Sequence, residues 1–405
     1  MTADMRWQRL RGGLRRVRQS VQIARRKLTI VLVRSLNFLK LSSANPLVRY
    51  GVAISEVTVP PMLNVVPAVA ATTRHVGMVD LDILAGSPLI AAKFDRKQSG
   101  DPSVRLFDVA DGFCDAYGCI VSKAGALVNP ISLRQEEFLR NYKNYSRARN
   151  VQLARGTMLA GVYSFQRGYY HWLLEVLPKI LLVQQQRLSI DSLHIDQRLG
   201  FQIETVETLV GGTWQVIPAE SNTIVTAQHV YAVEGWDAFT RTPAWVCALL
   251  RDAFLDRTAG NVGDKRIFIS RQDSSTRVMV NEDDLFHELA KHGFRRVQLA
   301  KLSVREQANL FAHAEVVVSA HGAGMTNILF CEPETKIFEI AAPRYIFGCF
   351  ADLARICGLR YRLLPSVNLD LSRDFGWTYQ FESFSVNVPV TTQVILQALR
   401  RRDSL

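Results

Sequence analysis

Three groups of residues in this 405-residue chain have the types and spacing to do chemistry. The first is Ser319-Ala320-His321-Gly322-Ala323-Gly324-Met325-Thr326-Asn327, which follows the apolar run Val316-Val317-Val318 and precedes Ile328-Leu329-Phe330. A strand that ends in a glycine bend and leads into a helix presents unbonded backbone N–H groups and a positive dipole end, which suits a phosphate. Neither GxGxxG nor GxxxxGK[ST] is present, so this is not a dinucleotide fingerprint or a P-loop. A plain turn with His321 as a local cap is the competing interpretation. The second group is Arg271 and Arg277, which flank the polar loop 272–276. Guanidinium forks pair bidentately with phosphate oxygens, so two of them at a strand end fit a diphosphate, against the alternative of ordinary surface arginines. Glu339, on the strand after the glycine turn, is suited either to accept from ribose hydroxyls or to serve as a structural acid. The third group is Gly168-Tyr169-Tyr170-His171-Trp172-Leu173-Leu174-Glu175. His171 and Glu175 are four apart and share a helix face. A carboxylate that orients an imidazole suits it to general-base work on a hydroxyl, and a structural polar contact is the alternative.

The elements that must hold these residues are most regular in the second half. Periodicity predicts strands over 266–270, 295–299, 316–320, 336–340 and 359–363, alternating with helices over 282–292, 304–314, 325–331 and 345–357. Gly293 and Gly358 close two of the helices, and Ser303 with Glu306 has capping-box spacing. Alternating strand and helix means a parallel sheet covered on both faces, with ligands at the carboxyl ends of its strands. Arg271 and His321 fall at such ends. The first half reads as short β-type runs over 55–59, 104–109 and 118–121. A helix over 169–185, interrupted at Pro178, follows, and then a second α/β series with a strand at 193–195, a helix at 203–210 and strands at 214–217 and 223–233. A boundary is expected near 235–243, giving segments 1–45, 46–240 and 241–405.

Composition narrows the class. With 48% apolar and 21% charged residues the chain is globular. Of the net +12, residues 1–40 supply +10, from eleven Lys and Arg against Asp4, so the body is near neutral and a nucleic-acid partner is not indicated. In that segment Leu10, Leu14, Val17, Val21, Ala24 and Leu28 recur at helical steps while arginines take the other faces. A basic amphipathic helix of this kind suits an anionic membrane surface; a solvated tail and a partner helix are the alternatives. The apolar run 28–33 is too short to span a bilayer, and no signal peptide is recognisable. The six cysteines form no CxxC pair and none has zinc-ligand spacing to a His, which suggests buried free thiols and a reducing, cytosolic setting.

Taken in order, Tyr-Tyr-His-Trp, Leu177-Pro178, Ile269-Ser270-Arg271 with Arg277 and Asn281-Glu282, Glu306-Gln307, His321-Gly322-Ala323-Gly324 with Thr326-Asn327, and Phe338-Glu339-Ile340 resemble glycosyltransferase family 61, of the type serving bacterial capsular or surface polysaccharide. The resemblance covers about residues 155–365. It implies a GT-B-like α/β fold, with two Rossmann-like domains facing a cleft, preceded here by a β-rich portion and the basic helix. It also implies inversion at the anomeric carbon, with a nucleotide sugar as substrate and no cofactor or metal. By the same resemblance Arg271, Arg277, His321, Gly322, Ala323, Gly324, Thr326, Asn327 and Glu339 would bind the nucleotide-sugar donor. His171 and Glu175 would act on the acceptor, a glycan or lipid-linked glycan, with an acid from 55–165 as the alternative base. The Asp80-Leu81-Asp82 spacing reads as a surface turn rather than a metal site. A cytoplasmic enzyme, peripheral at the inner face of the plasma membrane, is expected; a nucleotide-sugar-binding scaffold without catalysis is the rival. Deleting residues 1–40 is expected to abolish co-sedimentation with phosphatidylserine vesicles, and unchanged co-sedimentation would refute the membrane assignment.

Overall fold

The computed structural model describes residues 104–121, 150–256 and 264–400, apart from 164, 222, 237, 239–241, 257–263, 368 and 370–378, together with the backbones of 63–65 and 79–80. The basic segment 1–40, the strand expected at 55–59 and Leu81-Asp82 lie outside the described residues. The backbone of Asp80 is part of a strand.

Two six-stranded sheets carry the architecture. The first has the spatial order β1 (Leu63–Val65), β3 (Val104–Ala110), β11 (His229–Glu234), β7 (Thr157–Ala160), β8 (Ser192–Ile195) and β9 (Gln215–Pro218). Its pairs from β11 to β9 are parallel, and β3 is antiparallel to both β1 and β11. The other is parallel throughout: β13 (Arg295–Val297), β12 (Arg266–Ile269), β14 (Val316–Ala320), β15 (Lys336–Ile340), β16 (Arg360–Leu364) and β2 (Val79–Asp80). A four-stranded sheet of β5 (Ile120–Val121), β4 (Phe113–Cys114), β10 (Thr223–Thr226) and β6 (Asn150–Leu153) completes the β structure among the described residues. The single strand expected over 223–233 is thus two, β10 and β11, in different sheets, because Ala227-Gln228 turns the chain between them. Every residue of β14 is buried, as expected of a central strand covered on both faces.

Helix α1 covers 169–185 as an α turn (Tyr169–His171), a π turn (Trp172–Val176) and an α segment (Leu177–Gln185). The interruption expected at Pro178 takes the form of a change from π to α at Leu177, with the proline in the first turn of the α segment. Proline lacks the N–H that would reach the carbonyl four residues back, and the oxygen in question, Leu174 O, accepts instead from the Trp236 indole at 2.7 Å. The remaining helices are α2 (Gly200–Val210), α3 (Ala244–Phe254), α4 (Glu282–Ala290), α5 (Val304–Ala312), α6 (Cys349–Ile356) and α7 (Val388–Arg400), with 3₁₀ turns at Leu299–Lys301 and Ala323–Phe330. The Ser303–Glu306 capping box forms at the start of α5. Helix α6 starts four residues later than its periodicity suggested, leaving Tyr345 and Phe347 in the preceding turn.

Alternation within β14 divides the core. Val317 joins a cluster that runs without a break from Trp172, Leu177 and Leu193 to Ile328, Phe350 and Leu363, while Val316 and Val318 face a second cluster with Leu285, Leu289 and Ile395. The shared cluster packs α1 and α3 against the glycine-turn 3₁₀ helix, which fixes the first sheet's helices relative to the second sheet. Trp172 is fully buried in it and donates to Thr205 Oγ1 at 2.9 Å. Trp172→Ala is expected to lower unfolding free energy by about 3–5 kcal/mol, read as a shift in the denaturant midpoint.

Candidate functional site

The glycine turn is built at the carboxyl end of β14. Gly322 has no room for a side chain: a Cβ there would lie 1.8 Å from Arg271 Nη1. A Cβ on Gly324 would lie 2.7 Å from Leu299 Cδ1. The glycines therefore serve close approach, by a guanidinium in one case and by a wall residue in the other. Ala323 is exposed, and the N–H groups of Ala323 and Gly324 open the 3₁₀ helix, where no intrahelical partner exists for them.

Arg271 is seated by its own loop and by α4. Its Nη2 donates to Thr276 O at 2.9 Å and to Ser274 Oγ at 2.8 Å. Glu282, the first residue of α4, accepts from the Arg271 backbone N–H at 3.0 Å and from Ser270 Oγ at 2.6 Å. Arg277 adopts a left-handed backbone (φ 51°), donates from Nε to His321 O at 3.1 Å and stacks its guanidinium 4.4 Å over the Tyr345 ring. Burial, and then repulsion from Arg277, pull the Arg271 guanidinium down to about 10, so it remains cationic at neutral pH. Burial likewise lowers Arg277. Two cations held together in partial burial form a site that an anion would relieve.

His321 binds its Nδ1 to Glu339 Oε1 through a short contact, and Glu339 Oε2 accepts from Tyr361 OH at 2.6 Å. The imidazole lies against Tyr345, Phe347 and Phe350, with ring centroids 5.3, 6.2 and 5.0 Å away. Three expected ligand contacts are corrected by this geometry. Glu339 is 1% exposed with both oxygens engaged, so it orients His321 and is closed to ribose hydroxyls. Thr326 and Asn327 are fully buried: Thr326 Oγ1 donates to Ala323 O at 2.7 Å. Asn327 donates to Gln307 Oε1 at 2.8 Å and Gly324 O at 3.1 Å, and accepts from Tyr169 OH at 2.9 Å. Both shape the turn from behind.

The Tyr169-Tyr170-His171 turn packs on the glycine-turn helix, so elements 150 residues apart meet. His171 Nδ1 makes a short contact with Glu175 Oε2, and Glu175 Oε1 accepts from Ala238 N–H at 2.9 Å and from Tyr163 OH at 3.4 Å. A carboxylate on Nδ1 fixes the tautomer and directs Nε2 as the acceptor nitrogen of the neutral ring. Phe165 stacks on His171 at 5.1 Å, and Tyr170 stands between His171 (5.3 Å) and Phe350 (5.8 Å), which in turn touches His321. Two carboxylate-oriented imidazoles thus flank one aromatic pair. Tyr163, Tyr345 and Tyr361 have nothing in their local pattern that marks them, whereas Glu282 stands in the Asn281-Glu282 motif and is shown by the fold to seat Arg271. Within the 55–165 stretch, burial pushes the Asp115 carboxyl up to about 7, and its Oδ1 accepts from the Tyr117 and Cys119 N–H groups.

Beside the turn lies a cleft of about 640 Å³ between the β12 and β14 ends, the Leu299–Lys301 turn and the start of α2. Gln307 Nε2 holds that turn by donating to Leu299 O and Leu302 O, both at 3.0 Å. From the opposite wall, Glu204 of α2 accepts from Val304 N–H at 2.8 Å, closing the cleft floor. Among the described residues no group of three His, Cys, Asp or Glu is placed to hold a metal ion.

The sequence model of the family described as Glycosyltransferase 61 matches residues 169–338, the span from Tyr169 to Phe338 that contains both histidines and both arginines. Residues 169–338 are a glycosyltransferase family 61 domain. The chain is 31% identical over 112 residues to the EGF domain-specific O-linked N-acetylglucosamine transferase of Drosophila melanogaster, covering 27% of this chain and 21% of that protein. It is 31% identical over 103 residues to the Beta-1,2-xylosyltransferase of Arabidopsis thaliana, covering 22% and 19%. It is 25% identical over 150 residues to the Bos taurus EGF domain-specific O-linked N-acetylglucosamine transferase, covering 34% and 28%. The chain therefore spans 19% to 28% of the length of these relatives. The close approach of Arg271 to the glycine turn depends on the absence of a side chain at Gly322. Gly322→Ala is expected to displace the Arg271 guanidinium and weaken inorganic pyrophosphate binding about tenfold, by calorimetry, while the melting temperature stays near that of the wild type.

Proposed function

We propose that the protein is an inverting, metal-independent glycosyltransferase of GT-B layout that moves a sugar from a nucleotide-sugar donor to a glycan hydroxyl in surface polysaccharide assembly. Residues 46–240 supply the acceptor side and 241–405 the donor side. The observation that supports this best is the pairing, across Tyr170 and Phe350, of a carboxylate-oriented imidazole with a cationic glycine turn. The relatives that share the domain are named as transferases of N-acetylglucosamine and of xylose.

In this mechanism His171 Nε2 takes the proton of the acceptor hydroxyl while Glu175 holds Nδ1. The acceptor oxygen attacks the anomeric carbon from the face opposite the diphosphate. The bond from the anomeric carbon to the phosphate oxygen breaks, and its electron pair leaves with the nucleoside diphosphate. Arg271, Arg277, the Ala323 and Gly324 N–H groups and His321 stabilise that charge. The enzyme works at the cytosolic face, with residues 1–40 holding it near a lipid-linked acceptor; no described helix is long and apolar enough to cross a membrane.

A panel of nucleotide sugars, assayed by thermal shift and by release of nucleoside diphosphate, tests this. The nucleotide sugar that binds is expected to turn over. His171→Ala should lower kcat about 10²–10⁴-fold with nucleoside diphosphate affinity nearly unchanged. Binding of no nucleotide sugar, or full turnover by His171→Ala, would exclude the mechanism.

A further inference from the structure

The cleft is lined by part of the glycine turn but by neither histidine. Arg271, Gly322 and Gly324 line the cleft, whereas His321, Arg277, Tyr345 and His171 do not. If the diphosphate sits on Arg271 and the turn, the reacting sugar must point toward His321 and His171, and the other end of the ligand must enter the cleft. Its wall beyond Arg271 is apolar at Leu299 and Leu302 and aromatic at Tyr169 and Phe201, whose rings meet edge to face at 5.3 Å. Such a wall suits a planar base.

Four acids stand near this ligand path, of which Glu282 has its oxygens occupied by Ser270 Oγ and the Arg271 N–H. Glu339 is sealed behind His321. Glu204 has its oxygens occupied by the N–H groups of Val304 and Arg305. Asp273 is exposed, lines the cleft two residues after Arg271, and interacts electrostatically with the Arg271 guanidinium while its oxygens face solvent. A carboxylate there can accept from both hydroxyls of a vicinal diol.

We infer that the cleft takes the ribonucleoside half of the donor and that the Asp273 carboxylate reads the ribose hydroxyls. This rests on the glycosyltransferase proposal and adds a specificity residue to it. Calorimetric titration of the full chain with UDP, GDP, ADP and CDP and with their 2′-deoxy counterparts tests it. The wild type should bind one ribonucleoside diphosphate about tenfold more tightly than its 2′-deoxy form. Asp273→Ala, a change at an exposed loop residue, should remove the preference for the ribo form, while the deoxy form binds no more weakly than to the wild type, because a negative charge beside Arg271 is lost. Arg271→Ala should weaken both alike. Equal wild-type affinity for the two forms, or a preference that survives Asp273→Ala, overturns the Asp273 assignment alone. Binding of none of the eight compounds by the wild type overturns the nucleotide-donor proposal and this inference with it.

Discussion

The side-chain amide of Asn327 meets Tyr169 OH, Gly324 O and Gln307 Oε1 inside a core from which water is excluded. Each partner belongs to a different part of the site. Tyr169 opens the helix that carries His171, Gly324 is the far end of the glycine turn, and Gln307 holds the Leu299–Lys301 wall of the cleft. A buried amide left without partners costs about 1–3 kcal/mol per unmet group, so these elements are constrained to one mutual arrangement. The cleft, the cationic turn and the His171 face keep their spacing because the same few atoms tie them together.

The site shows a repeated device in which an imidazole is bound at Nδ1 by a buried carboxylate that is itself restrained. Glu175 is held by Ala238 N–H and Tyr163, and Glu339 by Tyr361. In each case the second ring nitrogen is set by the first, and the aromatic residues around the rings limit rotation. The surroundings differ. His321 sits beside two guanidiniums and the opening N–H groups of a helix, an anionic-ligand setting, whereas His171 sits beside Phe165, Tyr163 and Tyr170. One constellation can therefore serve two roles, holding charge on one side and moving a proton on the other.

Much of the second sheet was legible in the chain. Strand β14 and strand β15 have the bounds their apolar runs suggested, and Ser303 and Glu306 form the cap their spacing indicates. These features rest on local rules, alternation and capping, that need no distant partner. Pro178 interrupts the regular ladder as its type implies, but that Trp236, 58 residues on, donates to Leu174 O was not legible locally. The strand expected over 223–233 was misread because a turn that separates two sheets carries no local signature as strong as the β-propensity around it.

Residue types and order alone determined that a histidine follows a buried strand and precedes a glycine turn, that arginines lie at a neighbouring strand end, and that a second histidine has a carboxylate four residues away. Which of these face a ligand was decided only by tertiary structure. Glu339, Thr326 and Asn327 have the chemistry of ligand contacts, yet burial and saturated hydrogen bonds turn them inward. Exposure and unmet bonding capacity are properties of the packed assembly, because they depend on which distant groups arrive first. The sequence names the groups capable of binding, and the fold determines which of them are left with capacity to bind.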